Sequence, residues 1–362
     1  KEQGQDALAT SISRGSEQMK VLPKTRKKAG SLVSLLKEAK SVLIVMQNNP
    51  DPDSLASAMG LRKIANSQTD AQCTIACGGT VGRAENRALV RYLNVNLRPL
   101  REIDLTRFDL SCMVDTQPGT GNNSFPADVI PDIVIDHHPM RQATRECRFI
   151  DVRRKYGSTS TIVCEYLEYL GITIDIQLAT ALLYGIRSDT QDLGREATKA
   201  DMDATYFLYP LANKRMLSQI QWGRVTREYF QMLTEALKNA RVYQNVIITS
   251  LGPVENPDII GEVADLFLRD DDANCTMCYG EHDEKILISV RASDESFEAN
   301  KLIHRVVGRR GTGGGHKTYA GGQMPLTGLT KSAAARVEQQ ISRKFLKALH
   351  VSEHPYTKLI QI

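Results

Sequence analysis

The stretch QNNPDPDS, residues 47–54, carries carboxylates at Asp51 and Asp53, each preceded by proline, directly after the apolar run SVLIVM at Ser41. Read alone it is a turn: Pro50 and Pro52 fix φ, and Asp53 or Ser54 caps a helix opening at Leu55. Further along, LSCMV at Leu110 ends in Asp115, and DIVI at Asp132 ends in Asp136, followed at once by His137 and His138. A single aspartate at a strand end is turn chemistry, but three of them, one leading a histidine pair, are hard to explain as turns. A fourth, Asp189, follows the apolar helical run TALLYGIRS, where a helix C-terminus disfavours a buried carboxylate without a compensating cation. Clustered carboxylates repel one another, and divalent cations reverse the sign of the local field. Carboxylates with one or two imidazoles suit Mn²⁺ or Mg²⁺ better than zinc, and the nitrogen ligand favours manganese. Two ions bridged by one aspartate would activate a water and neutralise the phosphoryl oxygens of an in-line displacement.

The elements around these residues alternate. SVLIVM, CTIAC at Cys73, LSCMV and DIVI read as short strands, with helical stretches at Leu55 to Ala65 and Glu85 to Leu93 between them. Helices follow at Ser158 to Leu170, after the cap-like GSTS, and at Ile176 to Arg187. This is the rhythm of an α/β protein with a doubly wound parallel sheet, whose ligands bind beyond the carboxyl ends of the strands. A helical run from Lys214 to Ala240 precedes a second set of strands and helices. The expected division is a polar basic tail over 1–30, a catalytic domain over 31–212, a helical connector over 213–240 and a smaller α/β domain over 241–350.

Bulk composition bounds the function. With 362 residues, 41% hydrophobic and 24% charged, the chain is an ordinary globular protein of about two domains. A net charge of +4 leaves phosphate attraction to local clusters, such as Lys20, Lys24, Arg26, Lys27 and Lys28 in the tail. No apolar run approaches the roughly 18 residues a membrane span needs, and no signal peptide opens the chain. Seven irregular cysteines point to a reducing, cytoplasmic setting. Cys275 and Cys278 lie three apart in a strand, facing opposite sides, and read as structural. The first residue is Lys1, which leaves room for a domain upstream.

Together these residues resemble the DHH phosphoesterases. Asp136-His137-His138 is similar to the signature that names the family, NPDPD at Asn49 to its first motif, and Asp115 and Asp189 fall where its second and fourth belong. GTGGGH, Gly311 to His316, resembles the loop of the DHHA1 domain found in oligoribonuclease, cyclic-dinucleotide phosphodiesterase and RecJ relatives. The resemblance implies that Asp51 and Asp115 hold one ion, that Asp53, Asp115, His137 and Asp189 hold the other, and that Asp115 bridges. It implies that Asp136 orients the site and that His138 faces the substrate phosphate. Gln47 departs from the pattern, because the residue four before the first aspartate is usually a histidine ligand. A glutamine carbonyl coordinates a hard cation more weakly than imidazole coordinates manganese.

Around GTGGGH, Gly313, Gly314 and Gly315 permit a loop whose N–H groups turn toward one anion, and His316 adds a donor. Arg291, Arg309, Arg310 and Lys317 offer phosphate partners. In the resembled family, Arg291 and His316 occupy positions that grip the far end of the substrate, across a cleft between domains. The expected activity is metal-dependent hydrolysis of a small nucleotide: a short oligoribonucleotide, a 3′-phosphonucleotide such as pAp, or a cyclic dinucleotide. Two alternatives stand beside it, pyrophosphate or polyphosphate hydrolysis and a nucleotide-sensing module with weak turnover. The GGGH loop argues against the first, and Gln47 lends weight to the second.

Overall fold

The computed structural model describes residues 21–328 and 331–361. These divide into two compact units, the first ending at Arg224 and the second starting at Val225.

In the first unit, β1 (Ser41–Val45), β2 (Gln72–Cys77), β3 (Leu97–Pro99), β4 (Leu110–Val114), β5 (Ile133–Asp136) and β6 (Phe149–Val152) form one sheet in the order β3-β2-β1-β4-β5-β6. All its pairings are parallel. Strand order reverses between β1 and β4, so the loops leaving those two strands diverge and open a crevice at their carboxyl ends. Alternate residues of β1 enter different cores: Val42 and Ile44 join the large helical core, whereas Leu43 and Val45 join a smaller one with Leu100 and Phe125. A strand covered on both faces must be apolar throughout, which is why SVLIV shows no alternation.

The large core is built by α1 (Pro23–Lys37), α2 (Pro52–Gln68), α4 (Thr159–Tyr169) and α5 (Ile176–Asp189). The helix α3 (Ala84–Tyr92) follows β2, while α6 (Lys199–Leu208) and α7 (Lys214–Gln221) close the unit. Glycines let the central helices touch near the site. A Cβ on Gly60 would stand 2.3 Å from Val163 Cγ1, and one on Gly185 would stand 2.5 Å from Ser160 Oγ and 3.1 Å from Asp53 Cα.

Two expectations are corrected here. Residues 23–30, expected within a basic tail, form the first turns of α1, where Lys24 and Lys28 lie 3.0 and 3.6 Å from the buried Asp151; Lys20 lies outside the described residues. Both cations are thereby paired with a buried carboxylate on β6. The expected continuous helix over 214–240 is instead two, α7 and α8 (Arg227–Asn239). Gly223 separates them, backed so closely against Ala84 that a Cβ would meet its carbonyl carbon at 2.5 Å. Thr226 then caps α8.

The second unit carries a mixed sheet in the order β11-β12-β10-β9-β8-β7-β13. Its strands are β7 (Arg241–Tyr243), β8 (Val246–Pro253), β9 (Cys275–His282), β10 (Lys285–Ala292), β11 (Thr312–Gly315), β12 (Tyr319–Pro325) and β13 (Thr357–Lys358). Among the described residues of this unit, only β8 and β9 pair in parallel. The helices α8 and α9 (Ile259–Phe267) contribute to the core on one face, α10 (Ala299–Val307) and α11 (Lys331–Ala348) to the core on the other. Cys275 and Cys278 point into different cores, and burial pushes the Cys275 thiol up to about 12. Among the described residues all seven cysteines are free, and no helix is long and apolar enough to cross a membrane.

Candidate metal centre

The crevice beyond β1, β4 and β5 collects the aspartates and histidines singled out above. One ligand atom from each of Asp53, Asp115, His137 and Asp189 lies within 4.8 Å of all the others. His137 Nε2 stands 3.3 Å from Asp189 Oδ2 and 3.6 Å from Asp115 Oδ1. Asp115, His137 and His138 make a second such group. Asp51 enters neither.

Each side chain is held by local structure that the sequence dictates. Asp51 is the N-cap of α2, and its Oδ1 accepts from Ser54 N at 2.9 Å, as Asp-Pro-Asp-Ser chemistry favours. Its Oδ2 accepts from the Gln47 amide at 2.7 Å. Fully buried, Asp53 accepts from the backbone N–H groups of Thr159 and Ser160, both at 2.7 Å, so the N-terminus of α4 faces a carboxylate on the next helix. Asp115 sits just past β4 at φ 57°, a left-handed conformation that costs about 1–3 kcal/mol for a residue with a side chain. Its own N–H still donates to Ile135 O at 3.0 Å, and its Oδ1 accepts from Thr159 Oγ1 at 3.0 Å.

His137 Nδ1 lies 3.1 Å from the Tyr156 carbonyl oxygen. A carbonyl only accepts, so Nδ1 carries a proton, and Nε2 is the atom that faces the carboxylates and becomes the ligand once its own proton leaves. Asp136 is turned away from the cluster. Its Oδ1 accepts from the N–H groups of His137 and His138 and lies 2.9 Å from His138 Nδ1, while its Oδ2 accepts from Gln117 Nε2 at 2.6 Å. Burial would raise this carboxyl, but the bonds from His138 and its charge outweigh burial and hold it below the ordinary value.

The electrostatics explain what the cluster lacks. Burial, then the neighbouring Asp189, pushes Asp53 up to about 7. Burial and the Asp53, Asp51 and Asp189 charges raise Asp115 well above its ordinary value. Burial would lower His137, yet Asp189 and Asp53 outweigh it and drive the imidazole up to about 10. Without a cation, the cluster gathers protons to offset its own repulsion. Asp115 Oδ2 and His137 Nε2 are both buried without a hydrogen-bond partner, and orphaned buried polar atoms of this kind are rare. Three carboxylates and one imidazole with two vacant donor atoms fit a hard divalent cation.

Two site-forming groups escaped the sequence reading. Gln117 is fully buried and bridges Asp136 to the following loop, with its Oε1 accepting from Arg141 N and Thr144 Oγ1, both at 2.8 Å. Thr159 and Ser160 lie in GSTS, which signalled a helix cap and is one, since Ser158 caps α4. A helix N-terminus in a chain rich in strand-end aspartates was the available signal for their second role.

In the second unit the glycine-rich stretch is corrected from a loop to an edge strand. Gly313, Gly314 and Gly315 pair with Gly322, Gly321 and Ala320 of β12. The glycines make room for α10: a Cβ on Gly313 would lie 3.1 Å from Ile303 Cγ1, and one on Gly322 would lie 2.7 Å from the same atom. Arg291 is opposite Tyr319 in the ladder, with its guanidinium 6.0 Å from that ring, and His316 stacks on the same ring at 4.5 Å. Arg291 also pairs with Asp265, and Lys317 lies 2.6 Å from Glu295. Arg309 and Arg310 are exposed at the opposite end of β11 and do not join this group.

Residues 41–186 match the DHH family, N-terminal domain, and residues 243–343 match the DHHA1 domain. The chain is 31% identical over 342 residues to the protein MJ1633 of Methanocaldococcus jannaschii, covering 92% of this chain and 69% of that one. This chain belongs to the DHH family of phosphoesterases. Among other DHH relatives, the cyclic-di-AMP phosphodiesterase GdpP of Bacillus subtilis is 25% identical over 334 residues, which cover 87% of this chain and 49% of that one. The chain therefore spans about half the length of that phosphodiesterase. The fold is shared with the solved structure of an exopolyphosphatase-related protein from Bacteroides fragilis, at a TM-score of 0.70 and 17% identity, covering 90% of this chain and 98% of that one. It is also shared with RecJ from Thermus thermophilus, solved in complex with Mn²⁺, at a TM-score of 0.51 and 16% identity, covering 91% and 56% of the two chains.

Proposed function

We propose that this chain is a manganese-dependent hydrolase of phosphoester bonds in small nucleotides: short oligoribonucleotides, pAp or cyclic dinucleotides. The observation that carries this reading is the cluster of Asp53, Asp115, His137 and Asp189 at the point where strand order reverses, with Asp115 Oδ2 and His137 Nε2 unpartnered. These four would hold one ion, and Asp51 with Asp115 a second, with Mg²⁺ able to replace manganese. Bound there, a divalent cation supplies positive charge against phosphoryl oxygens and acidifies a water for in-line attack.

The chain's own residues do the rest. Asp136, held by Gln117, fixes the His138 ring, which is 35% exposed and donates to the phosphate or to the departing oxygen. The hydrogen bonds from Thr159 and Ser160 keep Asp53 in place as substrate charge arrives. In the DHHA1 unit, Arg291 and His316 around Tyr319 bind the nucleotide by charge and stacking, and Gly313 to Gly315 and the exposed Arg309 and Arg310 lend donors to phosphate. Seven free cysteines suit a cytoplasmic enzyme.

The test is a panel of RNAs two to five nucleotides long, pAp, cyclic dinucleotides and pyrophosphate, incubated with Mn²⁺ and followed by chromatography. Cleavage of one nucleotide class is expected, lost on Asp53→Asn. Tight dinucleotide binding without turnover would instead favour a sensing module, a reading that the Gln47 bond to Asp51 supports.

A further inference from the structure

Three of the four clustered ligands lean on one short stretch. Tyr156 O accepts from His137, Thr159 and Ser160 N–H groups hold Asp53, and Thr159 Oγ1 holds Asp115. What holds this stretch is Asp201, a fully buried residue of α6 with no place in the metal cluster. Its Oδ2 accepts from Gly157 N at 2.9 Å, from Thr198 N at 2.8 Å and from Thr198 Oγ1 at 2.7 Å, and its Oδ1 accepts from Thr161 Oγ1 at 2.6 Å.

The bonds to Thr198 cap α6 and would be present in any well-capped helix. Those to Gly157 and Thr161 reach a different part of the chain, and the Gly157 bond matters most. The N–H of Gly157 and the carbonyl of Tyr156 belong to one peptide group and point in opposite directions across a planar trans unit. Pinning the N–H on Asp201 therefore aims the carbonyl at His137 Nδ1. The approach is close enough to require glycine, since a Cβ on Gly157 would lie 2.5 Å from Thr190 Cγ2, next to the ligand Asp189.

We propose that Asp201 is a positioning residue for the metal centre, acting on His137 through the Tyr156–Gly157 peptide. The carboxylate orients the peptide, the peptide fixes the imidazole with its proton on Nδ1, and Nε2 is thereby kept as the ligand atom. It performs the task that a carboxylate bonded directly to a ligating histidine performs, with one peptide group interposed, and such partners usually change metal affinity by about 10- to 100-fold.

The inference rests on the metal reading above, so its test has one arm free of metal. In the metal-free full-length chain, proton and nitrogen-15 spectra of His137 report the Nδ1–H bond to the Tyr156 carbonyl: a slowly exchanging Nδ1–H in the wild type, and a fast-exchanging one in Asp201→Ala. In calorimetric titration, Asp201→Ala should bind Mn²⁺ about 10-fold more weakly or worse. Asp201→Asn should restore both, because its side-chain oxygen still accepts from Gly157 and its amide can donate to Thr161 Oγ1. Thr198→Ala loses a bond to the same carboxylate but not the peptide contact, so it should lower the melting temperature and leave Mn²⁺ affinity unchanged. Asp201→Ser, polar but too short to reach Gly157, takes the place of Asp201→Ala if that variant does not purify folded. An unchanged Nδ1–H bond in Asp201→Ala or Asp201→Ser, or an equal affinity loss in Thr198→Ala, overturns the proposal. Failure of the wild type to bind Mn²⁺ while the Nδ1–H bond is still lost in Asp201→Ala would overturn the metal reading and leave the orienting role intact.

Discussion

The side-chain amide of Gln47 donates to Asp51 Oδ2 at 2.7 Å, and Ser54 N donates to the other oxygen of the same carboxylate at 2.9 Å. Asp51 has both oxygens engaged by neutral donors and stands outside the ligand cluster that Asp53, two residues on, enters. An ion at Asp51 must displace the amide of Gln47 or recruit its carbonyl by a flip. Calorimetric titration of wild type should therefore show one tight Mn²⁺ site and one weaker, with activity following the weaker. Gln47→His should tighten the weak site about 10-fold, equivalent to about 1.4 kcal/mol. Two equally tight wild-type sites, or no change on substitution, would show that this amide does not govern metal occupancy.

Asp115→Asn should affect stability in opposite directions with and without metal. The side chain is buried among like charges, and asparagine tolerates the left-handed φ that Asp115 adopts. Removing the cost of burying or protonating this carboxyl should raise the melting temperature of the metal-free chain, abolish the further rise on adding Mn²⁺ and eliminate turnover. Scanning calorimetry with and without Mn²⁺ checks this, and a variant that still gains stability from Mn²⁺ as the wild type does would remove Asp115 from the centre.

Proton and cation should compete. Asp53 is raised from 3.8 to about 7 in the folded metal-free chain, so it binds a proton that the unfolded chain has released; that contribution is complete below pH 3.8 and fades as pH rises through about 7. His137, raised from 6.5 to about 10, contributes fully below 6.5 and loses its contribution as pH rises through about 10. Both make the metal-free chain less stable toward alkaline pH, and both protons must leave when a cation binds. The Mn²⁺-induced rise in melting temperature is expected to be larger at pH 8 than at pH 6. An equal or smaller rise at pH 8 would contradict this account of the cluster.

His316→Ala should separate binding from chemistry. Its ring stacks on Tyr319 beside Arg291, in a unit that contributes no residue to the ligand cluster. KM for nucleotide substrates should rise several-fold while bound manganese, measured by elemental analysis, stays at the wild-type level. Loss of manganese would assign His316 to the metal centre.

Most of the first unit was legible because its signals are local. SVLIV, LSCMV and DIVI are buried on both faces and therefore continuously apolar, and their aspartates fall where such strands end. Three-residue β3 has too few positions to show any period, and Phe149–Val152 alternates with Asp151, whose charge is matched by Arg153 nearby and by Lys24 and Lys28 from a distant part of the chain. The glycine run at β11 read as a loop because its strand character depends on pairing with Gly321 and Gly322 and on the face of Ile303, none of which is local. Asp201 was silent for a related reason: in sequence it is a helix-capping acid, and only the folded chain brings Gly157 to it.

The ligands of the cluster are drawn from the loops after β1, β4 and β5 and from the end of α5, so no partial structure of the first unit can assemble them. An ion can then bind only when nearly every long-range contact of that unit is in place, which puts metal capture at the end of folding. The kinetic consequence is one-sided. Increasing Mn²⁺ should slow unfolding while leaving the refolding rate where it was, because the transition state has no site to occupy. Stopped-flow chevrons at several Mn²⁺ concentrations would display this as a shift of the unfolding arm alone, and a refolding arm that accelerates with Mn²⁺ would mean that the ion nucleates the sheet.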